Sequence, residues 1–335
     1  MTRYGPLTPI AQLLSSGFRP GRVPGRQARG LPSSAGDRGP SPGNAAMVVT
    51  GAVITGPSST FMAAAHVSAA TTAAGRCLYA VPVLAVLAVV EVRRIGGRDI
   101  RERLLALAAG SFLGMDLVLW GRSIAGLGAG IATVVSNLQV FPVSLLGWLA
   151  LRENPGRRLL MAAPAAVVGM LLLAGTAGTG PTGSDPLAGL AYGLGSACCF
   201  AVFLLCLRMS QRGRHVVGPL LDATLGAAAS ATIAGLATGS LSVPPPASAE
   251  PYLILLALWS QTVGWLLITY GLRGMQAARG ALLFLVNPLV GLVVAAVALG
   301  ERPSATQLAG CVIVCVAVAA GSRGRDRAAA PPGSG

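Results

Sequence analysis

The stretch ALRENPGRR, residues 150–158, places charged residues and a proline between two apolar runs. A similar stretch, ALGERPSAT, residues 298–306, lies between two further apolar runs 148 positions later. In each stretch a glutamate, Glu153 or Glu301, precedes a proline by two residues. This duplication indicates that the chain contains two related halves.

The composition is that of a membrane protein. Hydrophobic residues make up 53% of the chain, charged residues only 11%, and the mean hydropathy is +0.68, which is far from the balance of soluble domains. The net charge of +14 would suit nucleic-acid binding only on a soluble basic face. These arginines lie between apolar runs, so we expect no nucleic-acid partner. The six cysteines lack metal-type spacing and are interpreted as packing residues, and no metal or other cofactor is expected.

A helix needs about twenty apolar residues to cross the hydrocarbon core of a bilayer. The first segment that meets this criterion is the most polar, because it contains Pro57 and several hydroxyl residues. Ten segments qualify, at approximately 48–66, 72–90, 104–123, 128–150, 159–176, 187–207, 216–238, 251–271, 278–299 and 305–321.

The composition of the two ends of the chain predicts solvated terminal tails. Residues 1–44 are rich in Pro, Gly, Ser and Arg, a composition typical of disorder. The alternatives are an Arg-rich, acid-poor organelle presequence or a true start at Met47, and we favour a tail or a start-site artefact over a presequence. Residues 322–335 are interpreted as a short cytoplasmic tail.

The distribution of arginines orients the segments, because cytoplasmic loops of membrane proteins are enriched in basic residues. With the N-terminus inside, the inner loops hold thirteen arginines outside the tails, against three in the outer loops, Arg76, Arg122 and Arg302. Both termini are therefore predicted to be cytoplasmic, in a multi-pass protein of the cell membrane.

This orientation makes the repeat an inverted one. Residues 150–158 join the fourth and fifth segments inside, whereas residues 298–306 join the ninth and tenth outside. The predicted fold is an all-α membrane protein with ten transmembrane helices arranged as two inverted five-helix repeats, 48–176 and 187–321. Secondary transporters use such halves to alternate access to a site at the bilayer midplane.

The two repeats also resemble a known family. GRSIAGLGAGIATVVSNLQVFPVSLLGWLALRENPGRRLLMAAPAAVVGMLLLAG (121–175) and YGLRGMQAARGALLFLVNPLVGLVVAAVALGERPSATQLAGCVIVCVAVAAG (270–321) are similar to the paired EamA repeats of the drug/metabolite transporter superfamily. The shared features are small residues entering the fourth helix, a proline within it, and an acid-x-Pro turn before the fifth. The resemblance implies a secondary carrier, often an exporter of amino acids or other small metabolites. The first repeat departs from the pattern with REN-P in place of GER-P.

Asp116 is the most informative polar residue, since an ionisable side chain within the bilayer costs at least about 2.5–3.5 kcal/mol. Trp120 follows at i+4 and shares its helix face. Asp116 either lines a cavity or hydrogen bonds to a neighbouring helix. In a cavity it would exchange protons or bind an ammonium group, with Trp120 as an aromatic wall.

Further polar residues occur on the eighth, fourth and ninth segments. Gln261, Trp265 and Thr269 are spaced by four, and Asn287 is the counterpart of Gln139 at the 148-residue offset. Pro142 follows Gln139 by three residues, and Pro288 follows Asn287 directly. A proline leaves a backbone carbonyl of the preceding turn without its hydrogen bond, so that it could face a ligand. Plain interhelical hydrogen bonding explains such residues equally well. The candidate substrate-binding residues are Asp116, Trp120, Asn137, Gln139, Gln261, Trp265 and Asn287.

Other charged residues are assigned structural roles. Arg76 and Arg122 lie at the outer ends of their segments, where they either meet an anionic group or extend to the surface, and we expect the latter. Asp222 is expected at a helix terminus. Glu153 and Glu301 are expected to stabilise the start of the helix that follows each of them.

Two other function classes are disfavoured. The sequence contains no HExxH motif and only two histidines, so an intramembrane enzyme lacks its usual groups. A channel needs filter groups arranged in a symmetric ring. The sequence thus predicts a secondary transporter that contacts a small-molecule substrate and membrane lipid, with a homodimer left open.

The inverted topology is testable by thiol labelling. In a background without the six native cysteines, single cysteines replacing Asn154 and Arg302 should react with an impermeant maleimide from opposite sides of the membrane. Labelling of both from the same side would contradict the inverted repeat.

Overall fold

The computed structural model describes residues 42–127, 132, 135–151, 157–173, 185–211, 214–273, 275–299 and 304–322. Every regular element within these ranges is helical. In the first half these are α1 Pro42–Thr55, α2 Ser58–Ala64, α3 Ala69–Ile95, α4 Ile100–Leu127, α5 Val140–Leu151 and α6 Arg157–Leu173. In the second half they are α7 Pro186–Met209, α8 Val217–Ala237, α9 Glu250–Leu255, the π-helix π1 Leu256–Gly264, α10 Trp265–Gly271, α11 Ala277–Phe284, α12 Val286–Leu299 and α13 Ala305–Ser322.

The all-α class predicted from the sequence is confirmed. Six helical stretches are long and apolar enough to cross a membrane, and shorter apolar helices cover parts of the remaining predicted segments. Residues 1–41 and 323–335 of the expected tails lie outside the described residues, as do Glu153 and Glu301, whereas residues 42–44 belong to α1 and Ser322 ends α13. The long stretches are 43–62, 69–95, 100–127, 187–209, 217–237 and 250–271, and the shorter ones are 135–150, 160–169, 278–291 and 308–317.

The internal repeat is visible in the positions where helices begin. α3 and α8 begin 148 residues apart, at Ala69 and Val217. α6 and α13 are separated by the same interval, from Arg157 to Ala305. In each half the first three apolar stretches are long and the last two are short. The offset found between the duplicated turns therefore extends through both halves.

Small residues allow α4 and α8 to approach at backbone distance. A Cβ atom added to Gly110 would overlap the carbonyl of Ala223, and one added to Gly226 would overlap the carbonyl of Leu107. Gly114, one turn after Gly110, faces the Ala227 carbonyl in the same way. Close packing of this kind replaces the hydrophobic driving force that helices lack within lipid.

The first turn of α8 is stabilised by a carboxylate near the end of α3, that of Glu91. The backbone N–H groups of Val216 and Val217 donate to Glu91 Oε1 at 2.7 and 3.0 Å, and that of Gly218 donates to Oε2 at 2.8 Å. A carboxylate at a helix N-terminus satisfies unpaired donors and favours the positive end of the helix dipole. α8 has no side-chain cap of its own, so Glu91 supplies one from the other half of the chain.

Asp222 extends this connection. Its Oδ2 atom lies 2.6 Å from Nη1 of Arg98 and 3.7 Å from Nε of Arg103. The Arg98 and Asp222 side chains are 4% and 5% exposed, so the pair is shielded from solvent. Asp222 lies in the second turn of α8, near the helix start where the sequence predicted it, and its side chain pairs with these arginines.

The start of α3 is held in a corresponding way by the second half. Ser68 caps α3 by accepting from the Thr71 N–H at 3.1 Å, and its hydroxyl donates to the Ser240 carbonyl at 2.6 Å. The Ser242 N–H donates to Thr71 Oγ1 at 2.9 Å. Ser68 and the α8 cap residue Val216 are again 148 residues apart. Each half thus anchors the second long helix of the other.

The contact between α4 and α8 predicts the effect of a single methyl group. Gly110→Ala should lower the free energy of unfolding by about 1–3 kcal/mol, because the added atom meets backbone that cannot rotate away. Thermal unfolding of the purified protein in lipid nanodiscs measures the change. Gly97→Ala is the matched control and should be neutral, since no atom lies within 4 Å of its added Cβ. Equal stability of the two variants would contradict this packing.

Candidate substrate cavity

Both halves of the chain contribute to one cavity of about 100 Å³. A water molecule occupies roughly 30 Å³ in the liquid, so this volume suits a few waters or part of a small solute. The residues that line the cavity are Thr55, Ser58, Arg76, Leu113, Asp116, Leu117, Trp120, Ser136, Asn137, Gln139, Ser196, Phe200, Ser260, Trp265, Phe284 and Asn287.

Interrupted helices meet at this cavity. Thr55 ends α1 and Ser58 begins α2, on either side of Gly56 and Pro57. Phe284 ends α11, and Asn287 lies in the first turn of α12. A turn at residues 138–139 precedes α5. Non-helical backbone at membrane depth is tolerated where it is buried in protein or lines a cavity, and transporters commonly bind ligands at such breaks.

The repeat is also visible in the lining of the cavity. Ser136 and Phe284 are 148 residues apart, as are Gln139 and Asn287, and all four line the cavity. Gln139 is buried. The Asn287 amide donates to Thr55 Oγ1 at 2.8 Å, which ties α12 to the end of α1. The candidates Asn137, Gln139 and Asn287 therefore line the same cavity.

Asp116 is buried in the lining. Its Oδ1 atom accepts a hydrogen bond of 2.6 Å from the Ser196 hydroxyl of α7, which lies 3.4 Å from the Ser136 hydroxyl. Trp120, one turn further along α4, also lines the cavity. Both readings of Asp116 thus apply at once, since it faces the cavity and hydrogen bonds to a neighbouring helix.

The expectation for Arg76 is wrong. Arg76 does not extend to the surface but is only 3% exposed and lines the cavity. Its Nη2 group donates to Ser260 Oγ and to Gln261 Oε1, both at 3.1 Å. α3 begins at Ala69, so Arg76 lies about 10 Å along the helix from its start. Its side chain is directed at π1 and cannot reach the surface.

The π-helix changes which residues of the eighth segment face the cavity. The Trp265 N–H donates to the Ser260 carbonyl, five residues back, and the Thr262 hydroxyl donates to the Ala257 carbonyl at the same spacing. Because the π-helical turn is wider than an α-helical one, Ser260 rather than Gln261 shares a helix face with Trp265 and lines the cavity. The spacing of four from Gln261 to Trp265 assumed a regular α-helix.

Gln261 instead lies behind the cavity wall and orients Arg76. Gln261 is fully buried. Its oxygen accepts from Arg76, and its Nε2 group donates to Thr224 Oγ1 at 3.1 Å. Ser58 donates to Ser260 Oγ at 2.9 Å. A chain of hydrogen bonds therefore connects α2, π1, α3 and α8 through the guanidinium group.

Three aromatic side chains of the wall, Phe200, Trp265 and Phe284, pack together, with Phe203 behind them. Trp265 lies 5.1 Å from Phe203, 6.1 Å from Phe200 and 6.2 Å from Phe284, measured between ring centroids. These spacings fall in the range of favourable aromatic pairs. Trp265 is 4% exposed, so its ring is held by packing before any ligand enters.

Two stretches of the chain match a family of known proteins. The model of the EamA-like transporter family matches residues 44–175 and 187–322. The chain belongs to the EamA-like transporter family. The resemblance noted in the sequence is thereby confirmed, and the protein is a multi-pass membrane protein of a transporter family. No curated protein matches the chain in sequence.

The fold has been solved before. One crystal structure, titled only as that of a protein, superimposes with a TM-score of 0.69 at 16% sequence identity. The match covers 84% of this chain and 98% of the other. At this level of identity the similarity concerns the fold alone.

Proposed function

We propose that the protein is a secondary active transporter that exports amino acids or other small metabolites across the cytoplasmic membrane by alternating access. Ten transmembrane helices form two inverted five-helix halves, 48–176 and 187–321, with both termini in the cytoplasm. The single observation that carries the proposal is a cavity that both halves line at their helix breaks. Inverted repeats that meet at broken helices are the usual construction of secondary transporters.

The residues of the cavity suit a small polar solute. Asp116 supplies a negative charge, Trp120 and Trp265 supply aromatic walls, and Asn137, Gln139 and Asn287 supply amide groups. Gln261 supports the site through Arg76. A carboxylate beside an aromatic ring is suited to an ammonium group, and it also provides a group that can accept and release a proton. Asp116 therefore either couples export to protons or binds a cationic group of the substrate.

A carrier fits the lining better than an enzyme or a channel does. Among the described residues that line the cavity there is no histidine, the side chain that most often serves as a general base. A channel would need a continuous pore with repeated filter groups. The further partners are membrane lipid around the helices and, as an open alternative, a second copy of the chain.

Counterflow tests the proposal directly. Purified protein in liposomes preloaded with each unlabelled amino acid should accumulate the same labelled amino acid transiently for at least one member of the series. The label accumulates because the excess of unlabelled solute inside competes for the inward-facing site and slows the exit of the label, whereas a pore gives no such accumulation. Absence of counterflow across amino acids and other small metabolites would contradict the proposal.

Asp116→Asn tests the role of the carboxylate. The change preserves shape and the ability to bond Ser196, but it removes the charge and the titration. Flux driven by a proton gradient should fall about 10- to 100-fold, because a neutral amide can neither release a proton nor offer an ammonium group a charge-assisted hydrogen bond, which is worth about 1.5–3 kcal/mol. Asp99→Asn, the same change at an exposed position, is the control and should transport normally. An Asp116→Asn protein with unchanged flux and unchanged pH dependence would show that Asp116 only packs helices.

A further inference from the structure

Arg76 is a buried cation without a carboxylate partner. Its side chain belongs to a residue only 3% exposed, and its two hydrogen bonds both come from Nη2 and both end on neutral oxygens. Among the described residues, no acidic group lies within ion-pair distance of it, and its Nε atom has no hydrogen-bond partner. Buried charges in proteins are normally paired, so this arrangement calls for a counter-charge.

The position of Arg76 indicates where that counter-charge would lie. Arg76 lines the same cavity as Asp116, and the two charges interact electrostatically without forming an ion pair. The cavity therefore carries one positive and one negative group. A ligand with only one charge would leave the other group without a partner, whereas a ligand with charges of both signs would satisfy both.

The surroundings of Arg76 hold the guanidinium in a fixed place. Ser260 receives a second hydrogen bond from Ser58, and Gln261 is fixed in turn by Thr224. Ser260 is exposed to the cavity through the π-helical turn, and Gln261 lies behind it. Both N–H groups of Arg76 Nη2 are used in the hydrogen bonds to Ser260 and Gln261, so the charge-assisted hydrogen bonds that a guanidinium gives to a carboxylate would come from Nη1.

We infer that Arg76 is the anion-binding residue of the cavity and that the ligand carries a carboxylate. This inference rests on the proposed function, because it takes the cavity to be the transport site. It adds that the cavity selects for compounds with an anionic group and rejects compounds that lack one. Arg76 is then a specificity-determining residue, with Ser260 and Gln261 as the residues that position it.

Binding by the wild-type protein tests the inference without any substitution. The probes are the twenty L-amino acids and their carboxamides, which keep the ammonium group but lack the carboxylate. Thermal unfolding of the full chain in lipid nanodiscs, measured against probe concentration, gives the affinity. At least one amino acid should stabilise the protein, and its carboxamide should bind about 10- to 100-fold more weakly. Equal affinity of acid and carboxamide, or binding by no acid in the series, would overturn the inference.

Substitutions assign the selectivity to Arg76. Arg76→Gln should bind acid and carboxamide equally. Arg76→Lys keeps the positive charge and should retain the preference for the acid at lower affinity. It also keeps the inference testable if the neutral variant does not fold. Arg122→Gln is the matched control, because Arg122 lies 5.6 Å from the Tyr192 ring centroid and is not in the lining. Its selectivity should equal that of the wild type. Retained selectivity in Arg76→Gln would overturn the inference.

The outcome separates this inference from the proposed function. Counterflow of an amine that has no carboxylate would support transport and overturn the role of Arg76. Acid-selective binding that depends on Arg76, without counterflow of any compound, would support the role of Arg76 and overturn the transporter proposal.

Discussion

Backbone hydrogen bonding in a medium without water is the constraint on which this structure depends. Each helix can be interrupted only where other protein groups satisfy the freed donors and acceptors, or where a cavity admits water. The breaks at Gly56–Pro57, at residues 138–139 and at Leu285 all border the same cavity. The cavity therefore lies where the helices are interrupted. The uninterrupted helices α4 and α8 are held together by close packing at their glycines.

The two charges of the cavity follow from the same constraint. Asp116 and Arg76 lie on adjacent long helices, α4 and α3, and each is supported by hydroxyl or amide groups rather than by the opposite charge. By contrast, Arg98, in the turn between α3 and α4, forms a direct ion pair with Asp222 near the start of α8. A paired charge stabilises the junction of two helices, whereas the separated charges in the cavity remain available to a ligand.

Much of the fold and part of the site could be predicted from the sequence. Hydropathy located the helical segments, the 148-residue offset identified the repeat, and i+4 spacing placed Asp116 and Trp120 on one face. The sequence places Arg76 too close to the surface, because the apolar segment starts at residue 72 whereas α3 begins at Ala69 and carries the arginine deeper. Ser260 was missed because the π-helix departs from the α-helical period, and no sequence pattern marked Ser196, whose role depends on the packing of α7 against α4.

Alternating exposure of the cavity is the central claim, and the accessibility of Ser136 tests it most directly. Ser136 is half-buried and lines the cavity, and Ser136→Cys changes its size little. In a protein without the native cysteines, an impermeant thiol reagent should modify this position when added to either side of the membrane, at rates that change in opposite directions when a transported solute is supplied. Modification from one side only, at a rate that does not respond to solute, would contradict the account.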